Sequence, residues 1–272
     1  MPYRKNAELT LFLSVVLFIC AFPASTLAAD VSVATEWLHT EYRETSTTGQ
    51  TLNREDGGLP GLALQSRWRL RPALSAGLTA SYHQGEVDYS GRTQTGRALE
   101  TRTRTRFQEA GAWLGYRLPP EVVNLTLRGG ILFRQWDRNI EATGSTIALE
   151  SRYRWWTPEI SVQLNHSLGR GQSFRIRAGV FRTTAVETRI DLTALGAGKT
   201  TLEPEGDYGQ RYLVAWSMPA TETLELSVYA YFERAAFASS DPVRLSTGST
   251  IFSVSEPDST RWRRGIGIGF SF

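Results

Sequence analysis

The chain ends in Gly265-Ile266-Gly267-Ile268-Gly269-Phe270-Ser271-Phe272, a stretch in which apolar and small residues alternate. Successive side chains of a β-strand point to opposite faces, so alternation with a period of two predicts a strand. Ile266, Ile268, Phe270 and Phe272 share one face of that strand, and glycines and a serine share the other. The stretch therefore predicts a final strand with one face in an apolar environment.

The same alternation recurs along the rest of the chain. In residues 174–180, apolar side chains alternate with arginine or glycine, and no segment after residue 30 has sustained helical periodicity. Segments of this kind are predicted at about 31–44, 62–71, 74–88, 103–118, 123–138, 150–167, 173–191, 208–218, 223–237 and 258–272. The count is ten, which is even.

The connections between these segments alternate between short and long. Tight turns are predicted at 71–73, 119–122, 168–172 and 219–222, and long polar segments at 45–61, 89–102, 139–149, 192–207 and 238–257. Short turns at one end and long loops at the other are typical of a barrel in a bacterial outer membrane. We therefore predict an all-β fold, a ten-stranded antiparallel, up-and-down transmembrane β-barrel with short periplasmic turns. A soluble β-sandwich also has alternating strands, and alternation alone does not exclude it.

The N-terminal stretch differs from the rest of the chain. Arg4 and Lys5 precede an apolar run at residues 11–20, and small residues follow, which is the pattern of a secretory signal peptide. The run is shorter than the roughly 20 residues that span a bilayer as a helix. We expect residues 1–29 to be a cleaved signal peptide and residues 30–272 to form one β-barrel domain.

The composition excludes several kinds of chemistry. The only cysteine, Cys20, lies in the predicted signal peptide, so the mature domain has no disulfide, thiolate metal site or cysteine nucleophile. A net charge of +3 gives no electrostatic case for nucleic acid. The three histidines lie on different predicted strands, so we expect no metal site and no cofactor. Neither His39 nor His166 has a serine two residues away that it could activate.

With its terminal aromatic residue, the last strand resembles the C-terminal signal by which the bacterial barrel-assembly machinery recognises its clients. Ile266, Ile268, Phe270 and Phe272 carry this resemblance. It implies contact with that machinery during biogenesis and location in the outer membrane of a Gram-negative cell. Together with the signal peptide and the loop pattern, it favours the barrel over the sandwich.

Ten strands, long outer loops and this length also resemble the omptin family, outer-membrane barrel proteases whose site combines a pair of aspartates with an Asp-His couple. The chain departs from that motif. Residues 83–88 lack two aspartates at the expected spacing, and residues 187–191 have no histidine nearby. Activating a water molecule needs a base of near-neutral pKa, usually a histidine paired with a carboxylate. A diverged omptin-like protease or lipid hydrolase stays an alternative, favoured if His83 lies within hydrogen-bond reach of Glu187 or Asp191.

A set of charged residues on the polar strand faces is expected to point into the lumen. The set comprises Glu36, Arg67, Arg69, Glu109, Arg128, Arg134, Glu159, Arg175, Arg177, Arg211, Glu225 and Glu233. Trp113, Trp136, Tyr229 and Tyr231 share these faces. A ten-stranded lumen lies between the filled eight-stranded type and open pores, so these groups are expected to close it. If a path remains, its positive lining favours anions, and a narrow anion-preferring channel is a second alternative.

A second set of arginines, the arginine girdle, follows the apolar strand faces toward their outer ends. It comprises Arg104, Arg106, Arg152, Arg154, Arg182, Arg234 and Arg264. Guanidinium groups bind phosphate through paired hydrogen bonds, and lipid A presents phosphates at about this height. We hypothesise that the girdle binds lipopolysaccharide, with Trp37, Tyr82, Trp156 and Trp262 as interfacial aromatic residues.

The leading hypothesis from the sequence is a non-enzymatic outer-membrane barrel with a structural, adhesive or envelope-accessory role. It would act through its long outer loops and its contacts with outer-membrane lipid and lipopolysaccharide. No motif identifies a substrate, or a periplasmic or secretion partner.

Overall fold

The computed structural model describes residues 29–92, 96–119, 124–144, 146–247 and 250–272. Residues 1–28 of the predicted signal peptide and residues 120–122 of a predicted turn lie outside these ranges. The described chain is built of β-strands and a single 3₁₀ turn at Thr193–Leu195. It contains no helix that is long and apolar enough to cross a membrane.

Ten antiparallel strands form a closed wall, which confirms the predicted all-β barrel. They are β1 (Ala29–Thr45), β2 (Thr51–Arg69), β3 (Leu74–Arg92), β4 (Ala98–Arg117), β5 (Asn124–Ile140), β6 (Leu149–Gly169), β7 (Gln172–Arg182), β10 (Tyr208–Pro219), β11 (Glu225–Phe237) and β14 (Asp258–Ser271). Their order around the barrel is β5-β4-β3-β2-β1-β14-β11-β10-β7-β6, and β6 pairs back onto β5. Four shorter strands, β8 (Thr184–Leu192), β9 (Gly198–Leu202), β12 (Val243–Thr247) and β13 (Thr250–Val254), lie at the outer end.

The last strand has the two faces that its sequence predicts. Ile266, Ile268 and Phe270 point outward, and the glycines between them point into the lumen. Gly265 and Gly267 pair with Tyr231 and Tyr229 of β11, and a methyl group on either glycine would overlap the tyrosine ring. The small residues of β14 therefore leave room for two tyrosine rings in a narrow lumen.

Large apolar side chains cover the outside of the wall. Leu62, Ile160 and Val180 are each more than half exposed, although side chains of this kind are mostly buried in soluble proteins. Aromatic rings border this apolar band, with Trp37, Trp156 and Tyr212 toward the outer end and Tyr116, Trp216 and Phe270 toward the periplasmic end. A polar lumen and an outer apolar band with aromatic borders are the features of a membrane-spanning barrel.

Several strands are longer than the sequence predicts. β1 and β2 are joined by a short connection at 46–50, and β3 and β4 extend through most of 89–102. The prediction of long loops at 45–61 and 89–102 is therefore wrong. Above the apolar band the outward residues are charged or polar, so the period-two signal disappears while the backbone pairing continues. Arg43 still pairs with Arg54 in the register of β1 and β2.

The single strand predicted at 173–191 is broken in two at Thr183. The Thr183 N–H donates to the carbonyl of Asp207 at 2.9 Å instead of continuing the ladder. Ala185 follows with φ of +49°, a left-handed conformation that interrupts a regular strand. β6 therefore pairs with β7 in its periplasmic half and with β8 in its outer half.

Two hairpins at the outer end pack against each other. The β8–β9 hairpin contributes Ile190, Leu192 and Leu202, and the β12–β13 hairpin contributes Val243 and Phe252. The last two predicted outer loops therefore contain β-structure and a small hydrophobic cluster of their own.

Candidate functional site

The outer half of the lumen is filled by aromatic rings packed around arginines. Trp136 stacks on Phe107 and on Tyr153, with ring centroids 5.2 and 4.9 Å apart. The guanidinium of Arg138 lies 4.9 Å from the centroid of Trp136, and that of Arg261 lies 4.7 Å from Trp155. Stacked rings and cation–π contacts of this kind close the lumen toward the cell exterior.

Glu233 of β11 is the centre of the buried ion pairs below these rings. Arg134 of β5 reaches across the lumen and binds both of its carboxylate oxygens, at 2.8 and 2.7 Å. Arg211 of β10 binds the same carboxylate and also Glu159, at 3.1 Å. Arg263 of β14 contacts Glu233 at 3.6 Å. Because each partner comes from a different wall strand, the network ties opposite sides of the barrel together.

A second buried cluster lies above the apolar band, where Glu256 enters the barrel mouth from the segment between β13 and β14. Tyr42 and Tyr153 donate hydrogen bonds to its carboxylate at 3.2 and 2.5 Å. Arg138 donates to Glu55 at 2.6 Å and lies 3.7 Å from Glu44. Burial, as the largest cause, raises the pKa of Glu256. For Glu44, burial and then the neighbouring Glu256 raise the pKa from 4.5 to about 7.

The raised pKa of Glu44 predicts that the barrel mouth loosens as pH rises. Folding favours protonated Glu44, so its contribution is fully present below about pH 4.5 and is lost as pH rises through about 7. We expect the outer hairpins to become more susceptible to a protease between these values, measured by limited digestion with an acid-tolerant enzyme. In the Glu44→Gln variant, the digestion rate should change less with pH. An equally steep dependence of the digestion rate on pH in that variant would show that Glu44 does not cause the loosening.

The structure brings most of the predicted lumen charges into the lumen. Glu36, Glu109, Arg134, Glu159, Arg211 and Glu233 contact other side chains there, and Arg67, Arg128, Arg175, Arg177 and Glu225 line its periplasmic half. Arg69 is different: it is exposed at the periplasmic end of β2, because the strand ends there and leaves its side chain at the rim. The predicted closure by ion pairs and rings holds for the outer half, and the periplasmic half keeps a cavity.

Two histidine–carboxylate pairs are present that sequence reasoning missed. His83 Nε2 lies 2.8 Å from Glu36 Oε2 inside the lumen, although the two atoms are not aligned as a hydrogen bond. His39 Nε2 lies 3.3 Å from Asp56 on the outward face. His39 and Asp56 lie on the neighbouring strands β1 and β2, whereas Glu36 of β1 and His83 of β3 lie on either side of Gly61 of β2. In both pairs the register of the strands brings the partners together, and spacing along the chain does not give that register.

The arrangement that would favour a hydrolase is absent among the described residues. His83 contacts Glu36, whereas Glu187 contacts Arg189 and Asp191 contacts Lys199 at 2.7 Å. The omptin-like alternative therefore gains no support from the position of His83.

The arginine girdle lies on the outward face, and it divides into two groups. Arg104 contacts Glu86 and Glu141, and Arg106 and Arg152 share the carboxylate of Asp137. Within the described part of the chain, no carboxylate lies within salt-bridge distance of Arg154, Arg182, Arg234 or Arg264. The girdle therefore has a neutralised side on β4–β6 and a positive side that runs from β6 to β14.

No protein-family model matches the chain, and no curated protein sequence matches it. Among solved structures it is similar to the outer membrane protease OmpT from Escherichia coli, with a TM-score of 0.61 and 14% identity over 93% of this chain and 98% of that chain. It is also similar to the β domain of the Bordetella autotransporter BrkA, with a TM-score of 0.46 and 12% identity over 90% of this chain and 99% of that one. At these identities the likeness concerns the fold alone. The chain is a ten-stranded barrel of the outer-membrane type, with the omptin-like architecture that its sequence predicts.

Proposed function

We propose that this protein is a non-enzymatic outer-membrane barrel with a structural, adhesive or envelope-accessory role, and that the positive side of its girdle binds lipopolysaccharide. The observation that carries the proposal is the position of Arg154, Arg182, Arg234 and Arg264 beside the outer aromatic border. An arginine at this height, with no carboxylate partner, can offer its donors to a lipid phosphate.

Three of these four arginines have an aromatic neighbour at the same height. Arg182 lies over the ring of Tyr208 at 5.6 Å. Arg234 pairs in register with Trp262, and Arg264 pairs with Phe232. Aromatic residues concentrate at membrane–water interfaces, so the adjacent guanidinium groups reach the headgroup level.

The paired side of the girdle contributes less to this binding. A carboxylate that already binds Arg106 and Arg152 lowers their net positive charge and would repel a phosphate. The lipopolysaccharide hypothesis therefore narrows from seven arginines to four.

The assembly residues and the outer hairpins complete the proposal. The outward, exposed Ile266, Ile268 and Phe270 support recognition of the last strand by the barrel-assembly machinery. The two hairpins at the outer end offer a rigid surface for an extracellular partner, because they pack on each other through their own apolar cluster.

The proposal is tested by replacing the four arginines that have no carboxylate partner among the described residues. We expect R154Q/R182Q/R234Q/R264Q to retain much less lipopolysaccharide after purification and to lose most of its thermal protection by added lipopolysaccharide. A matched control, R104Q/R106Q/R152Q, removes paired arginines from the same belt and should change retention little. Equal retention by wild type and the four-arginine variant would overturn the proposal.

A further inference from the structure

The periplasmic half of the lumen contains a pocket that the proposed function does not use. A cavity of about 210 Å³ below the Glu233 network continues into a vestibule of about 500 Å³ bordered by the turn at 221–223. The two spaces share Trp113, Arg128 and Arg175 in their walls, so they form one pocket. Because rings and ion pairs fill the outer half, this pocket opens toward the periplasm.

Four arginines from three strands converge on this pocket. They are Arg67, Arg128, Arg175 and Arg177. None of the described carboxylates lies within salt-bridge distance of any of them. The Nε atoms of Arg175 and Arg177 are buried without a hydrogen-bond partner among the described residues. Arg128, 7% exposed, donates to the amide oxygen of Gln163 at 3.1 Å and lies 3.8 Å from the ring centroid of Trp113.

The carboxylates in the pocket wall do not balance these four charges. Glu109, Glu159 and Glu233 already bind other arginines, Glu36 contacts Tyr229 and His83, and Asp30 and Glu222 are exposed at the mouth. Among the carboxylates of the pocket wall, Glu225 alone remains to offset the charge of these four guanidinium groups. Arg128 is buried and Arg67, Arg175 and Arg177 are half-buried, and cations removed from water without a counter-charge are costly. A bound anion would supply the missing charge and acceptors for the buried Nε atoms of Arg175 and Arg177.

We propose that this pocket is a periplasm-facing binding site for a phosphate group, either as free phosphate or as a phosphomonoester of a small molecule. A dianion of tetrahedral shape matches the surplus of positive charge, and several guanidinium forks can each offer it two donors. The ring of Trp113 holds Arg128 toward the cavity through its cation–π contact. The site lies inside the barrel, so it is separate from the outward girdle and independent of lipopolysaccharide.

The experiment is calorimetric titration of the refolded mature barrel in a zwitterionic detergent with inorganic phosphate and, separately, with glycerol 3-phosphate. Ionic strength is matched with sodium chloride in every cell. We expect saturable binding of at least one of the two compounds, weakened at least tenfold in R175Q/R177Q. The matched control is R189Q, which removes an exposed arginine of β8 that pairs with Glu187 and belongs to neither the pocket nor the girdle, and which should leave binding unchanged.

A second readout separates a binding role from a structural one. If the arginines bind a ligand, R175Q/R177Q should be at least as stable as wild type when both are measured without phosphate. Added phosphate should then raise the melting temperature of wild type but not that of the variant. Saturable binding of free phosphate identifies the ion as sufficient, and binding of the monoester alone identifies a phosphorylated small molecule. No saturable binding of either compound, equal affinity in the variant, or a large loss of stability in phosphate-free R175Q/R177Q would overturn the proposal.

Discussion

Replacing Glu233 with alanine is expected to destabilise the barrel by about 3–5 kcal/mol, the cost typical of breaking a buried ion pair from one side. The carboxylate is 1% exposed and contacts Arg134, Arg211 and Arg263. Without it, these arginines stay buried with too few acceptors. The free energy of unfolding is measured by urea titration of the barrel in lipid vesicles.

A matched control removes an exposed carboxylate instead. Glu187 pairs with Arg189 at the outer surface, where both side chains are substantially accessible to water. We expect Glu187→Ala to cost less than about 1 kcal/mol, because exposed ion pairs contribute little. Similar decreases in the free energy of unfolding in the two variants would show that the Glu233 network does not stabilise the barrel as we infer.

Replacing Trp136 with alanine is expected to cost about 3–5 kcal/mol, since the site loses a fully packed ring and keeps a cavity. Trp136 is 2% exposed, and its indole N–H donates to Thr105 at 2.5 Å. The control is Trp156→Ala, which removes a ring of the same size from the outward face, where it is 44% exposed. If Trp136→Ala unfolds at the same urea concentration as that control, the outer lumen is not packed as described.

The wall of the barrel is the part of the fold that the sequence predicts best. In β14, and in Phe174–Val180 of β7, a period of two assigns each side chain to the lumen or to the lipid without reference to any other strand. The prediction fails where that signal ends. Above the apolar band, polar residues face outward, and paired strands look like loops in the sequence.

The contacts that build the candidate sites depend on register and on long-range closure, which periodicity does not contain. The break at Thr183 depends on the carbonyl of Asp207, and Glu256 joins Tyr42 from the far end of the chain. His83 meets Glu36 only through the pairing of β1, β2 and β3. Sequence reasoning therefore identified charged faces but not which charges are neutralised.

The division of arginines follows the same logic. Arg152 and Arg154 occupy the same outward face of one strand, and Asp137 of β5 lies opposite Arg152. Arg154 lies between Gln135 of β5, to which it donates, and Glu187 of β8, whose carboxylate contacts Arg189. Only the register and these contacts separate an arginine that contacts a carboxylate from one that does not. A sequence pattern alone places both in one girdle.

Aromatic rings and ion pairs fill the outer half of the lumen, and we expect them to close it toward the cell exterior. Single-channel recording of the refolded barrel in planar bilayers tests this most directly. We expect no discrete conductance at either polarity, in chloride or in phosphate buffer. A stepwise conductance that falls when the charge of Arg134 or Arg177 is reversed would contradict it.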